Sequence, residues 1–182
     1  MRTGLQLLIG MVFTCLALAA RAETTPAMWK EKEFKFAYHG FTTNYSCEGL
    51  KYKVRMILAQ LGARSNPQIR TTGCEIGGGV AVFPRLHIRA AFPEALPAGK
   101  DDVQSFAAQA DVVTLSPGRP HGLEMGDCEL VEQLRYNVIA EIGSRMLADK
   151  TGCVPHQSNL GRPYLQFEIL RPAAGEVMST AR

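Results

Sequence analysis

From Glu33 to Tyr38 apolar and polar side chains alternate, with Phe34, Phe36 and Tyr38 on one side and Lys35 on the other. That period of two predicts a half-buried strand. The period changes after Cys47. Leu50, Val54, Ile57, Leu58 and Leu61 recur at helical spacing, while Lys51, Lys53 and Arg55 take the opposite face, which predicts an amphipathic helix. Gly62 and then Asn66-Pro67 end it. Gln68 to Thr72 reads as a short strand, Gly77-Gly78-Gly79 as a turn, and Arg85 to Phe92 as a third strand. In that last run Leu86, Ile88, Ala90 and Phe92 point one way, and Arg85, His87 and Arg89 the other.

The same order returns further along. Asp111 to Leu115 is a short strand, and Ser116-Pro117-Gly118-Arg119-Pro120 a loop. Val131, Leu134, Val138, Ile139, Ile142 and Met146 form the apolar stripe of a helix from about Cys128 to Leu147. Tyr164 to Leu170 alternates again and closes the pattern as a strand. Residues 93–110 are rich in Pro, Gly and Ala and read as a linker, with at most a turn of helix near Val103–Ala108. Residues 171–182 have no period and read as a mobile tail.

The two runs also correspond residue by residue. Cys47-Glu48 aligns with Cys128-Glu129, and Ile57 to Arg64 with Val138 to Arg145. Thr72-Gly73-Cys74 aligns with Thr151-Gly152-Cys153, Leu86-His87-Ile88 with Leu165-Gln166-Phe167, and His39-Gly40 with His121-Gly122. Collinear matches at an offset of about 80 residues indicate a duplicated unit, here 33–92 and 111–170. The expected fold is α+β. It is a two-layer sandwich from a duplicated β-α-β unit on the ferredoxin-like plan, an antiparallel sheet with helices on one face. Residues 23–170 then make one domain.

The front of the chain changes the picture of compartment and charge. Arg2 precedes a 14-residue apolar run from Leu5 to Leu18, followed by Ala20-Arg21-Ala22. This describes a signal peptide over residues 1–22, and the run is short for a membrane span of about 20 residues. Cleavage near Ala22 predicts a periplasmic or secreted protein. Without Arg2 and Arg21 the 20 basic residues become 18 against 17 acidic ones, and the net charge of +3 becomes +1. With no block of like charge either, nucleic acid is not an expected partner.

Cys15 leaves with the leader, and Cys47, Cys74, Cys128 and Cys153 remain. Successive members are 25 or more residues apart, unlike the close pairs of a zinc site or a C-x-x-C redox motif. Two structural disulfides are expected. The repeat selects Cys47–Cys74 and Cys128–Cys153. A helix after Cys47 climbs about 20 Å, and the extended segment beyond it returns that distance.

Candidate chemistry is sparse. His39 and His121 hold equivalent turns, and pseudo-twofold packing would bring them together on a metal or a phosphate; the preferred reading is inherited turn chemistry, each ring capping its own helix, because that needs only local physics. A plan of this kind invites comparison with the two-histidine phosphoesterases, but the strands that would carry the His-x-Ser/Thr motifs read Leu86-His87-Ile88-Arg89 and Leu165-Gln166-Phe167-Glu168. One histidine and both hydroxyls are missing. The outward row Arg85, His87 and Arg89 reads first as a solvated strand face and, as the alternative, as a binding surface for an acidic ligand. No cofactor and no metal site are expected. The reading is a non-enzymatic module that binds a protein or small ligand of the cell envelope. A small metal-dependent or phosphate-ester hydrolase using His39 and His121 is the alternative.

Overall fold

The computed structural model describes residues 23–74, 77, 79–81, 83–99, 104–153 and 164–173. The predicted leader, Gly78, His156 and the end of the predicted tail lie outside them. Six strands and two helices follow in the order β1 (Thr24–Ala37), α1 (Cys47–Gln60), β2 (Gln68–Thr72), β3 (Arg85–Ala95), β4 (Phe106–Leu115), α2 (Cys128–Asn137), β5 (Arg145–Asp149) and β6 (Leu165–Pro172). The strands make one antiparallel sheet in the order β2-β3-β1-β4-β6-β5. Each half of the chain therefore contributes three adjacent strands and one helix. This is an α+β fold, with two more strands than the four of a β-α-β-β-α-β arrangement.

Alternation set the core. Phe34, Leu86, Ile88, Phe92, Val113, Leu115, Leu165 and Phe167 join Leu50, Val54, Ile57 and Leu58 of α1 and Leu130, Val131 and Leu134 of α2 in one buried cluster. Ser46 caps α1, its Oγ accepting the Gly49 N–H at 3.1 Å, so one of the helix's free donors is satisfied. At the other end Gly62, with φ +77°, turns the chain where a Cβ would be strained.

The join between the halves is short. Only Thr24–Ala27 of β1 pairs with Phe106–Gln109 of β4. Strands β3 and β6 touch, although a flat sheet would hold them about 14 Å apart, three strand spacings. The sheet is thus bent across the join, and its halves close over a common core.

Five elements have boundaries other than those expected from the sequence. β1 begins nine residues before Glu33, and β3 and β4 extend into the stretch read as the linker 93–110. The turn of helix near Val103–Ala108 is replaced at Phe106–Ala108 by strand. Trp29 on β1 stacks against Phe106 on β4 at 5.0 Å, a contact between distant residues that overrides a composition typical of loops. α2 stops at Asn137 rather than Leu147, and Arg145–Asp149 pairs with β6 instead. Val138, Ile139 and Ile142 remain buried, so their helical spacing marked a core-facing segment. Gly143 at φ +72° then redirects the chain. β6 also continues past Leu170, and Arg171 pairs with Asp111 rather than belonging to a tail.

Both expected disulfides are formed, Cys47–Cys74 and Cys128–Cys153. Such bridges persist in oxidising compartments. Among the described residues no helix is long and apolar enough to cross a membrane.

A buried polar clamp holds the halves together. Asp127, 2% exposed, accepts from the Tyr45 hydroxyl, from Lys53 Nζ at 2.8 Å and from the Glu124 N–H at 2.6 Å. Glu129 accepts from the N–H groups of Phe41 and Thr42 at 2.9–3.1 Å and from Thr42 Oγ1 at 3.0 Å. Burial, reinforced by the Asp127 charge, pushes the Tyr45 phenol far above its usual pKa, so it stays a donor. A buried carboxylate satisfied this way fixes the loop before α1 against the start of α2.

Candidate anion-binding face of the first half

The outward side chains of β1, β3 and β2 form a regular grid. Strand register places Glu33 opposite Arg89 and Arg89 opposite Gln68. The next row is Lys35, His87 and Arg70, and the third is Ala37, Arg85 and Thr72. Lys35, Arg70, Thr72, Arg85 and His87 line an open groove of about 590 Å³. The row Arg85, His87 and Arg89 read from the sequence is therefore the middle of a wider surface. Lys35 and Arg70 complete it from the neighbouring strands.

Four fixed cations share these rows with one carboxylate. Glu33 is fully engaged: Lys35 Nζ lies 2.6 Å from Oε1, and Arg89 Nε donates to Oε2 at 3.1 Å. His87 Nε2 also lies 2.8 Å from Glu33 Oε1, but off the hydrogen-bonding direction, and it has no hydrogen-bond partner among the described residues. Arg70 and Arg85 form no ion pair among the described residues. Arg70 stands opposite His87 and diagonal to Arg85 and Arg89, and Arg85 diagonal to Lys35 and Arg70, at the roughly 7–8 Å that long side chains still span.

Glu33 senses its neighbours strongly. The hydrogen bond and charge of Lys35, aided by Arg89, hold its carboxyl at about 2, against an ordinary 4.5. Because the folded value lies below the free one, this pairing stabilises the fold above pH 4.5 and is lost as the pH falls towards 2. A side-chain NMR titration should find the Glu33 midpoint near pH 2, and Lys35→Ala should return it towards 4.5. A midpoint near 4.5 in the unmodified protein would contradict this arrangement.

Among the described residues, the second half offers no counterpart in the matching rows. Its equivalent rows are Thr114, Gln166 and Ala148, then Val112, Glu168 and Arg145. There Arg145 is bound by both Glu168 oxygens, at 3.2 and 2.8 Å. Gln166 and Glu168 stand where the first half has His87 and Arg89, so among the described residues these rows are basic in the first half and not in the second.

The two repeat-related histidines are placed differently from one another. His39 continues the outward face of β1, and its ring packs on Phe83 at 5.2 Å. Its backbone exchanges hydrogen bonds with Gln133 at 3.0 and 2.7 Å. His121 is exposed on the loop before α2. Among the described residues no three His, Cys, Asp or Glu side chains come together as a metal group. Ser144 donates to the Ile139 carbonyl at 2.7 Å, a local turn contact.

Strand parity places Lys35 outward, while the sequence shows Arg70 only as part of a short strand; the adjacency of both to His87 depends on register, which single strands do not reveal. Phe83 gave no signal at all in the sequence. The chain matches no family model, no curated protein and no solved structure.

Proposed function

We propose that this is an exported, non-enzymatic binding module that holds an anionic ligand of the cell envelope on the outer face of its first half. One observation carries the reading: Arg70 and Arg85 lie unpaired among the described residues, in a groove with Lys35 and His87, while Arg145 in the corresponding rows of the second half is paired with Glu168. A face kept only for solubility gains nothing from crowded like charges. A polyanion would relieve their repulsion and replace their water with charge-assisted hydrogen bonds.

The leader pattern and the two disulfides support export to the periplasm or medium, with cleavage near Ala22. The paired strand–helix–strand–strand order supports descent from a duplicated unit whose halves have since diverged.

Inorganic polyphosphate is the probe. Binding measured by calorimetry should weaken with added salt. The double change Arg70→Gln with Arg85→Gln should lower affinity at least about tenfold, the scale of one lost charged hydrogen bond. Arg145→Gln, on the second half, should leave it unchanged. Equal binding by the double variant and the unmodified protein would overturn the reading.

A further inference from the structure

We propose that the ligand of this face is an acidic polysaccharide, with charged groups on Lys35, Arg70 and Arg85 and one sugar ring resting on Phe83. The proposal rests on the anion-binding reading above and adds a ring-binding subsite to it.

Phe83 is the observation that demands explanation. It is a bulky residue at φ +56°, in a region such side chains avoid. It is also 56% exposed, so core packing does not account for the strained conformation. Strain of this kind concentrates where a side chain must be held in a particular place. The Tyr38 N–H donates to the Pro84 carbonyl at 2.9 Å, which carries the pairing of β1 and β3 past its last regular row, Ala37 and Arg85. His39 and Phe83 are the next outward pair. His39 supports the Phe83 ring from one side, tilted by 52°, and leaves the aromatic surface at the end of the cationic groove.

The shape favours a chain over a compact ligand. Small-molecule sites are concave and enclose most of the ligand, whereas this groove is open to solvent along three neighbouring strands. Successive outward rows are about 7 Å apart, so the face presents charge repeatedly along one direction and an aromatic ring at its end. A sugar ring suits that end because its C–H edges, slightly positive, meet the negative face of the aromatic ring. Single-stranded nucleic acid also combines charge with rings, but its binding surfaces repeat their stacking platforms. Here there is one.

The test compares four probes on the purified protein with both disulfides intact: tetragalacturonate, its uncharged methyl ester, polyphosphate and an oligothymidylate of matched charge. Tetragalacturonate should bind tightest, and the ester at least about tenfold more weakly, as expected when charge-assisted contacts are lost. Phe83→Ala should weaken tetragalacturonate about tenfold while leaving polyphosphate unchanged, which also shows that the variant is folded. Phe83→Tyr, which keeps an aromatic face, should retain binding.

If polyphosphate binds but Phe83→Ala affects both anions alike or neither, the ring subsite is wrong and the anion-binding reading stands. Tighter binding of the oligothymidylate would likewise overturn the polysaccharide. If no anion binds at all, both readings fail together.

Discussion

Asp127→Ala should destabilise the protein by about 3–5 kcal/mol, the usual cost of removing one partner from a buried ion pair. Lys53 is only 14% exposed at its side chain. Without Asp127 its ammonium keeps the Gly122 carbonyl at 2.7 Å and the more distant, exposed Glu124 carboxylate at 3.8 Å. The Tyr45 hydroxyl and the Glu124 N–H lose an acceptor in the same step. The loss is that of a stranded charge, so it should shrink when the charge is removed as well. In a Lys53→Met background, Asp127→Ala should cost clearly less than it does alone, a coupling that a double-mutant cycle measures directly. Urea denaturation of the four proteins gives all the terms. A cost below about 1 kcal/mol in the native background, or equal costs in both backgrounds, would show that the clamp contributes only packing.

Opening either disulfide should cost about 3 kcal/mol, the chain-entropy value for loops of this size. The bridged residues are separated by 27 positions in the first half and 25 in the second. Both bridges do the same mechanical job. Cys47 and Cys128 are the first residues of α1 and α2, while Cys74 and Cys153 follow the five-residue strands β2 and β5. Those strands are the two edges of the sheet, each paired on one side only. Each bridge therefore ties a short edge strand to the start of a helix. In Cys47→Ala with Cys74→Ala, amide exchange should accelerate first in β2, with β5 little changed; the matching double variant in the second half should do the reverse. Because whole domains are stable by only about 5–15 kcal/mol, losing both bridges should bring the protein close to unfolding at ordinary temperatures. Uniform acceleration across the sheet after loss of one bridge would contradict this local role.

The groove lies on β1, β3 and β2, so the first of these experiments also bears on binding. Arg70 sits in the middle of β2, and its place beside His87 depends on that edge strand staying paired. Opening Cys47–Cys74 should weaken anion binding more than opening Cys128–Cys153.

Several features depended only on local order along the chain. The strand around Phe34 and the helix over Leu50–Leu58 follow from side-chain period, because a periodic apolar face must be buried whatever it packs against. The cysteine pairing followed from the repeat combined with the reach of a helix and an extended return. The outward direction of Arg85, His87 and Arg89 followed from strand parity. Other features needed partners distant in sequence. β5 forms from residues with helical spacing because the free edge of β6 offers backbone hydrogen bonds and Glu168 offers Arg145 an ion pair. β1 lengthens because Trp29 meets Phe106. Asp127 and Glu129 look like ordinary residues at a helix start, and only the packing of one half on the other buries them against Tyr45, Lys53 and Thr42. The candidate site divides the same way: parity along each strand assigns the charges to a face, whereas the register between strands sets Lys35, His87 and Arg70 in one row and brings Phe83 beside His39. A side-chain period is a property of consecutive residues, but register is decided by which strands meet and where they start.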